Sequence, residues 1–78
     1  MKVTIYFKDS VDKPAVTVEG LTAIKARNAD SKSRDKSYYE GNFQAFMPFP
    51  EESYSFTGSG GVISMSGTEI LYVEFKED

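Results

Sequence analysis

What most limits the fold of this chain is that its apolar residues recur at every second position in short runs, each closed by residues that turn the chain. Val3, Ile5 and Phe7 alternate with Thr4, Tyr6 and Lys8. Successive side chains of an extended strand point to opposite faces, so this is the pattern of a strand with one face buried. Val16 and Val18, Tyr54 and Phe56, and the Val62-Ile63-Ser64-Met65-Ser66 stretch read in the same way. At the C-terminal end Leu71, Val73 and Phe75 share one face, and Ile70, Tyr72 and Glu74 the other.

The punctuation agrees with strands. Asp9-Ser10, Asp12-Lys13-Pro14, Gly20 and Gly67-Thr68 are turn chemistry, and Gly58-Ser59-Gly60-Gly61 between two alternating runs predicts a hairpin with a glycine-rich tip. Leu21 to Ala26 suits a short strand, although Leu21, Ile24 and Lys25 also fit one helical turn. Residues 38–47 alternate too, but Tyr39, Phe43, Phe46 and Met47 match helical spacing as well; Gly41-Asn42 in the middle favours the strand. Pro48 and Pro50 end that element and hold Phe49 extended. The matching faces of the two terminal runs predict that they are neighbours in one sheet, which ties both chain ends into the core.

The fold class expected is therefore mainly β: a small barrel or a curled antiparallel sheet of about six short strands. Seventy-eight residues close one core, so residues 1–78 are expected to form a single domain. Leu, Ile, Val and Phe supply 18 of the 78 residues, enough to fold. Asn28 to Ser37 holds no large apolar side chain and is expected to be a mobile polar loop.

No apolar run approaches the roughly 20 residues that cross a bilayer as a helix, and Met1 to Lys8 lacks the apolar core of a signal peptide. A cytoplasmic location without membrane attachment is the expectation, and the absence of cysteine agrees with it. The net charge of −3 disfavours bulk attraction to nucleic acid. That charge is uneven: Lys25, Arg27, Lys32, Arg34 and Lys36 against Asp30 and Asp35 make the 25–36 window +3, leaving −6 for the remainder.

Catalytic chemistry is poorly provided for. Without His or Cys the chain lacks the commonest general base, the commonest metal ligand and the thiolate nucleophile. Glu51-Glu52 and Glu77-Asp78 are adjacent pairs, which an extended chain sends to opposite faces, so they read as solvated surface. The glycine-rich tip lacks the Lys-Ser/Thr that follows in a phosphate-binding loop. No enzyme activity, metal or cofactor is expected.

The opening Met1-Lys2-Val3-Thr4-Ile5-Tyr6-Phe7-Lys8-Asp9, the Val18-Glu19-Gly20-Leu21-Thr22-Ala23-Ile24 stretch and the closing Ile70-Leu71-Tyr72-Val73-Glu74-Phe75 resemble the small uncharacterised proteins of Gram-positive phages and mobile elements. The resemblance covers the two ends, roughly a third of the chain, and carries no catalytic residues. It implies an accessory protein that binds and blocks a host protein, as anti-CRISPR proteins do.

Seven aromatics lie between Tyr38 and Phe56, more than so small a core readily takes in, which predicts an exposed aromatic patch. Phe43, Phe56 and Phe75 fall on core-facing positions, so Tyr38, Phe46 and Phe49 are the expected partner-binding anchors. Glu69, Glu74, Glu77 and Asp78 form the acidic end that would steer a basic partner. The alternative is a single-stranded nucleic-acid binder using Lys32, Arg34, Lys36, Tyr38 and Tyr39, cations beside stacking rings. A third reading is a structural or homo-oligomeric role through an exposed sheet edge.

Overall fold

The alternating runs at both ends of the chain are paired strands in the structure, a computed structural model that describes residues 1–8, 14–28 and 36–77. Among the described residues there are seven strands: β1 (Lys2–Phe7), β2 (Ala15–Val18), β3 (Ala23–Asn28), β4 (Lys36–Tyr39), β5 (Glu52–Gly58), β6 (Gly61–Ser66) and β7 (Ile70–Lys76). They form two antiparallel sheets, one of order β2-β1-β7 and one of order β4-β3-β5-β6. The architecture is mainly β, with two sheets that do not close into a barrel among the described residues. None of the described helices is long and apolar enough to cross a membrane.

The terminal strands are neighbours, as their faces predict: Val3 stands opposite Phe75 and Ile5 opposite Val73. β1 is central in its sheet, and Val3 and Ile5 are fully buried. The glycine-rich segment is a hairpin tip, with Gly58 opposite Gly61 and Ser59-Gly60 as the two turn residues. That tip is fastened: the Ser59 backbone N–H and hydroxyl both donate to the Glu19 carbonyl, at 3.0 and 3.2 Å. Further backbone bonds from Leu21 to Met1, Thr22 to Thr57 and Lys8 to Glu69 hold the corners where the chain passes between sheets.

Both sheets contribute to one apolar core. Val3 and Ile5 come from the first, Ile24, Ala26, Tyr54, Phe56 and Met65 from the second, and Leu21, Phe43, Phe46 and Ile70 from the connections and strand ends. The helical-turn alternative for 21–26 is settled by this packing, since Ile24 and Ala26 alternate inward from a strand.

Three expectations need correction. In β7 the assigned faces fail at the start: Ile70 is buried and Leu71 is exposed. Tyr6 pairs with Tyr72 but Phe7 with Ile70, so Leu71 has no partner on β1 and is the extra residue of a β-bulge. One extra residue shifts the period-two pattern and sends Ile70 to the core. Of the segment 28–37 expected as a polar loop, Asn28 ends β3 and Lys36 and Ser37 open β4, while residues 29–35 lie outside the described residues. Residues 38–47 are not one strand. β4 stops at Tyr39, the chain turns through Gly41 (φ +97°), and Phe43–Ala45 form a single 3-10 turn. Residues three apart lie on one side of such a turn, which is why Phe43 and Phe46 are both buried.

Candidate binding surfaces

Phe46 is the hub of the aromatic packing. It meets Tyr38, Tyr54, Phe56 and Phe75 edge-on, at ring-centroid distances of 5.4, 5.1, 5.7 and 6.4 Å. Phe43 stacks on Phe75 at 5.9 Å. The chain after Phe46 is pinned from β5: the Phe49 backbone N–H donates to the Tyr54 hydroxyl at 2.6 Å, and that hydroxyl donates to Glu52 Oε1 at 3.1 Å. Glu52 is buried, so its carboxylate is satisfied within the fold. Burial above all pushes the Tyr54 hydroxyl up to about 12; the Phe49 backbone bond, next in size, works against it, and the hydrogen bond and charge of Glu52 add to the rise.

Among the described residues, two surfaces that the core does not use stand out, the β7 edge and the face of the larger sheet. The first is the edge of the three-stranded sheet. β7 pairs with β1 on one side only, and no strand covers its other side among the described residues. Leu71 and Tyr72 are 59% and 50% exposed there. Tyr72 stacks on its cross-strand partner Tyr6 with centroids 4.4 Å apart. Glu69, Glu74 and Glu77 stand exposed around this edge, Glu74 with Lys76 at 3.5 Å. A pair so exposed is worth roughly 0–1 kcal/mol and leaves the carboxylate accessible.

The second surface is the outer face of the four-stranded sheet. Strand register sets Ser37, Lys25, Ser55 and Ser64 side by side across β4, β3, β5 and β6. Arg27, Ser53 and Ser66 form a row on one side of them, and Tyr39, Ala23, Thr57 and Val62 a row on the other. The Ser55 and Ser64 hydroxyls share a hydrogen bond of 3.0 Å. Short serines at the centre and long side chains around them leave an open hollow of about 720 Å³. A smaller hollow of about 280 Å³ lies between β2 and the β5–β6 hairpin, with Glu19 on its wall.

The expected site residues are not brought together as a set. Tyr38 faces inward and is half-buried against Phe46, and Phe46 is only 7% exposed, so neither is a free anchor and Phe46 is a core residue. The physical reason is the 3-10 turn, which replaces strand alternation with a three-residue period. Phe49 is 40% exposed. Asp78, Lys32 and Arg34 lie outside the described residues. Lys36 is exposed on β4, but Tyr38 and Tyr39 point to opposite faces of that strand, so the two tyrosines do not form one stacking platform.

The exposure of Leu71 escaped sequence reasoning because a bulge leaves no compositional mark, whereas Tyr72 stands on the outward face that alternation gave it. Lys25 and Arg27 were legible in principle, since they alternate with Ile24 and Ala26. No family model matches the sequence, and neither a curated protein nor a solved structure matches it.

Proposed function

We propose that this chain is a non-enzymatic binding protein, an accessory protein of a phage or mobile element that acts in the host cytoplasm by occupying a host protein, anti-CRISPR-like inhibition being one form of such action. The observation that carries the reading is the edge of β7, which no strand covers among the described residues and where Leu71 and Tyr72 stand exposed among Glu69, Glu74 and Glu77. A free strand edge offers unpaired backbone N–H and C=O groups to an extended segment of a partner. Burying a leucine side chain adds roughly 1.5–3 kcal/mol, and a tyrosine supplies large contact area at small entropic cost. The carboxylates steer a basic partner and govern the association rate, while the apolar anchors govern dissociation.

The test is capture from host lysate with the wild-type chain, Leu71→Ser and Tyr72→Ala in parallel, each checked for an unchanged thermal transition. One stoichiometric host protein retained by the wild type and lost by the variants is the expected result. Equal recovery by all three would move the site elsewhere. The same edge supports pairing of two copies of this chain, and a dimer in sedimentation that Leu71→Ser dissolves, with no host protein captured, would establish that reading in its place.

A further inference from the structure

We infer that the outer face of the four-stranded sheet is a second, independent binding site, and that its ligand is single-stranded nucleic acid. The face is distinguished first by charge. In a chain of net charge −3, its outward positions on β3 to β6 carry Lys25 and Arg27 and no carboxylate, whereas the β7 edge and the hollow beside β2 both present glutamates. A polyanion is attracted here and repelled from the other two surfaces.

Residue choice is the second mark. Serine is a weaker strand former than threonine or valine, yet Ser37, Ser55 and Ser64 fill the central row beside Lys25. What serine provides is a short side chain with a hydroxyl, and the result is the hollow of about 720 Å³. The Ser55–Ser64 bond uses one of the two hydroxyl hydrogens, which leaves the other to donate to a phosphate oxygen.

The third mark is an exposed ring. Tyr39 is 52% exposed on the outer face at the sheet edge, beside the cations rather than in the core. Lys25 and Arg27 lie two residues apart on one strand, roughly 6.6–6.8 Å along it, the scale of one nucleotide step in an extended single strand. Cations that follow a backbone, with an aromatic side chain for a base, are what a sequence-tolerant single-strand site requires. A sulfated polysaccharide or a free phosphate would use the cations and hydroxyls but has no use for the ring.

The experiment is a titration of the whole chain, labelled with nitrogen-15, with a short thymidylate oligomer at low salt. Amide shifts should concentrate at Lys25, Tyr39, Ser55 and Ser64. Two phosphate contacts predict a log–log salt slope of about −1.4, or roughly sevenfold weaker binding between 50 and 200 mM salt. Tyr39→Ala should weaken binding roughly tenfold, and Lys25→Gln should flatten the slope by about 0.7. Ser55→Thr with Ser64→Thr should raise the thermal transition while lowering affinity, because the hollow fills. The inference is overturned by shifts that map to the β7 edge, by no shifts at low salt, or by heparin binding at least as tightly as the oligomer with Tyr39→Ala without effect on either.

Discussion

Replacing Tyr54 by Phe removes one oxygen from the middle of the molecule and leaves the ring in place against Phe46, 5.1 Å away. That oxygen does two jobs at once. It accepts from the Phe49 N–H at 2.6 Å and donates to the buried Glu52 carboxylate at 3.1 Å. A buried polar group left without its partner costs about 1–3 kcal/mol. Phe49 is partly exposed, so water recovers part of its loss, whereas Glu52 is 8% exposed and recovers little. The sum is roughly 2–4 kcal/mol, against a total stability of about 4–12 kcal/mol for a chain of this length. The thermal midpoint should fall by roughly 10–20 °C. Urea denaturation followed by far-UV circular dichroism reads the difference directly.

The pH dependence of that difference reads chiefly the burial of the same hydroxyl. With its pKa raised from 10.0 to about 12, the folded chain keeps the Tyr54 proton where the unfolded chain has released it. The stabilisation is therefore complete below pH 10 and is lost as pH climbs through 12, by an amount on the order of 3 kcal/mol. The stability gap between wild type and Tyr54→Phe should be flat below pH 10 and shrink above it. A gap under about 0.5 kcal/mol at neutral pH, or one that does not change between pH 10 and 12, would refute the reasoning.

The aromatic hub and the bulge make separate predictions. Phe46→Ala should cost about 3–5 kcal/mol in chemical denaturation, as deletion of a buried ring does, while Phe49→Ala on the exposed loop should cost about 1 kcal/mol or less. Ile70→Ala should cost about 2–5 kcal/mol and Leu71→Ala stay within about 0.5 kcal/mol; the reverse order in denaturation curves would remove the bulge. Gly67→Ala should destabilise by about 1–3 kcal/mol, because a Cβ there runs into the backbone carbonyl oxygens of Phe49 and Glu52, which no rotamer change can move aside. Its thermal midpoint, compared with that of Gly60→Ala, where a Cβ meets nothing, separates this clash from a general cost of losing glycine.

Alternation is a property of the extended backbone itself, so it is present in the order of residues before any packing occurs. For that reason the strands around Ile5, Phe56 and Val73, the hairpin at Ser59-Gly60 and the pairing of the two chain ends were legible in the sequence. The cation-bearing face of β3 was equally legible, because Lys25 and Arg27 alternate with buried neighbours.

Only the tertiary structure decided the rest. Leu71 and Ile70 exchange roles because the register between β1 and β7 slips by one residue after Tyr6, and register depends on both strands together. Phe46 lies in the core because the chain after Gly41 closes a 3-10 turn against β5 and β7, where strand and helix spacing fitted the same residues equally well. Glu52 reads as surface beside Glu51 and is buried, since its carboxylate finds the Tyr54 hydroxyl two residues along the same strand face. The serine row is built from four strands, with Ser37, Lys25, Ser55 and Ser64 far apart in the chain. Local backbone geometry sends each side chain to one face or the other, but which faces meet and which stay open follows from the pairing of segments distant in sequence.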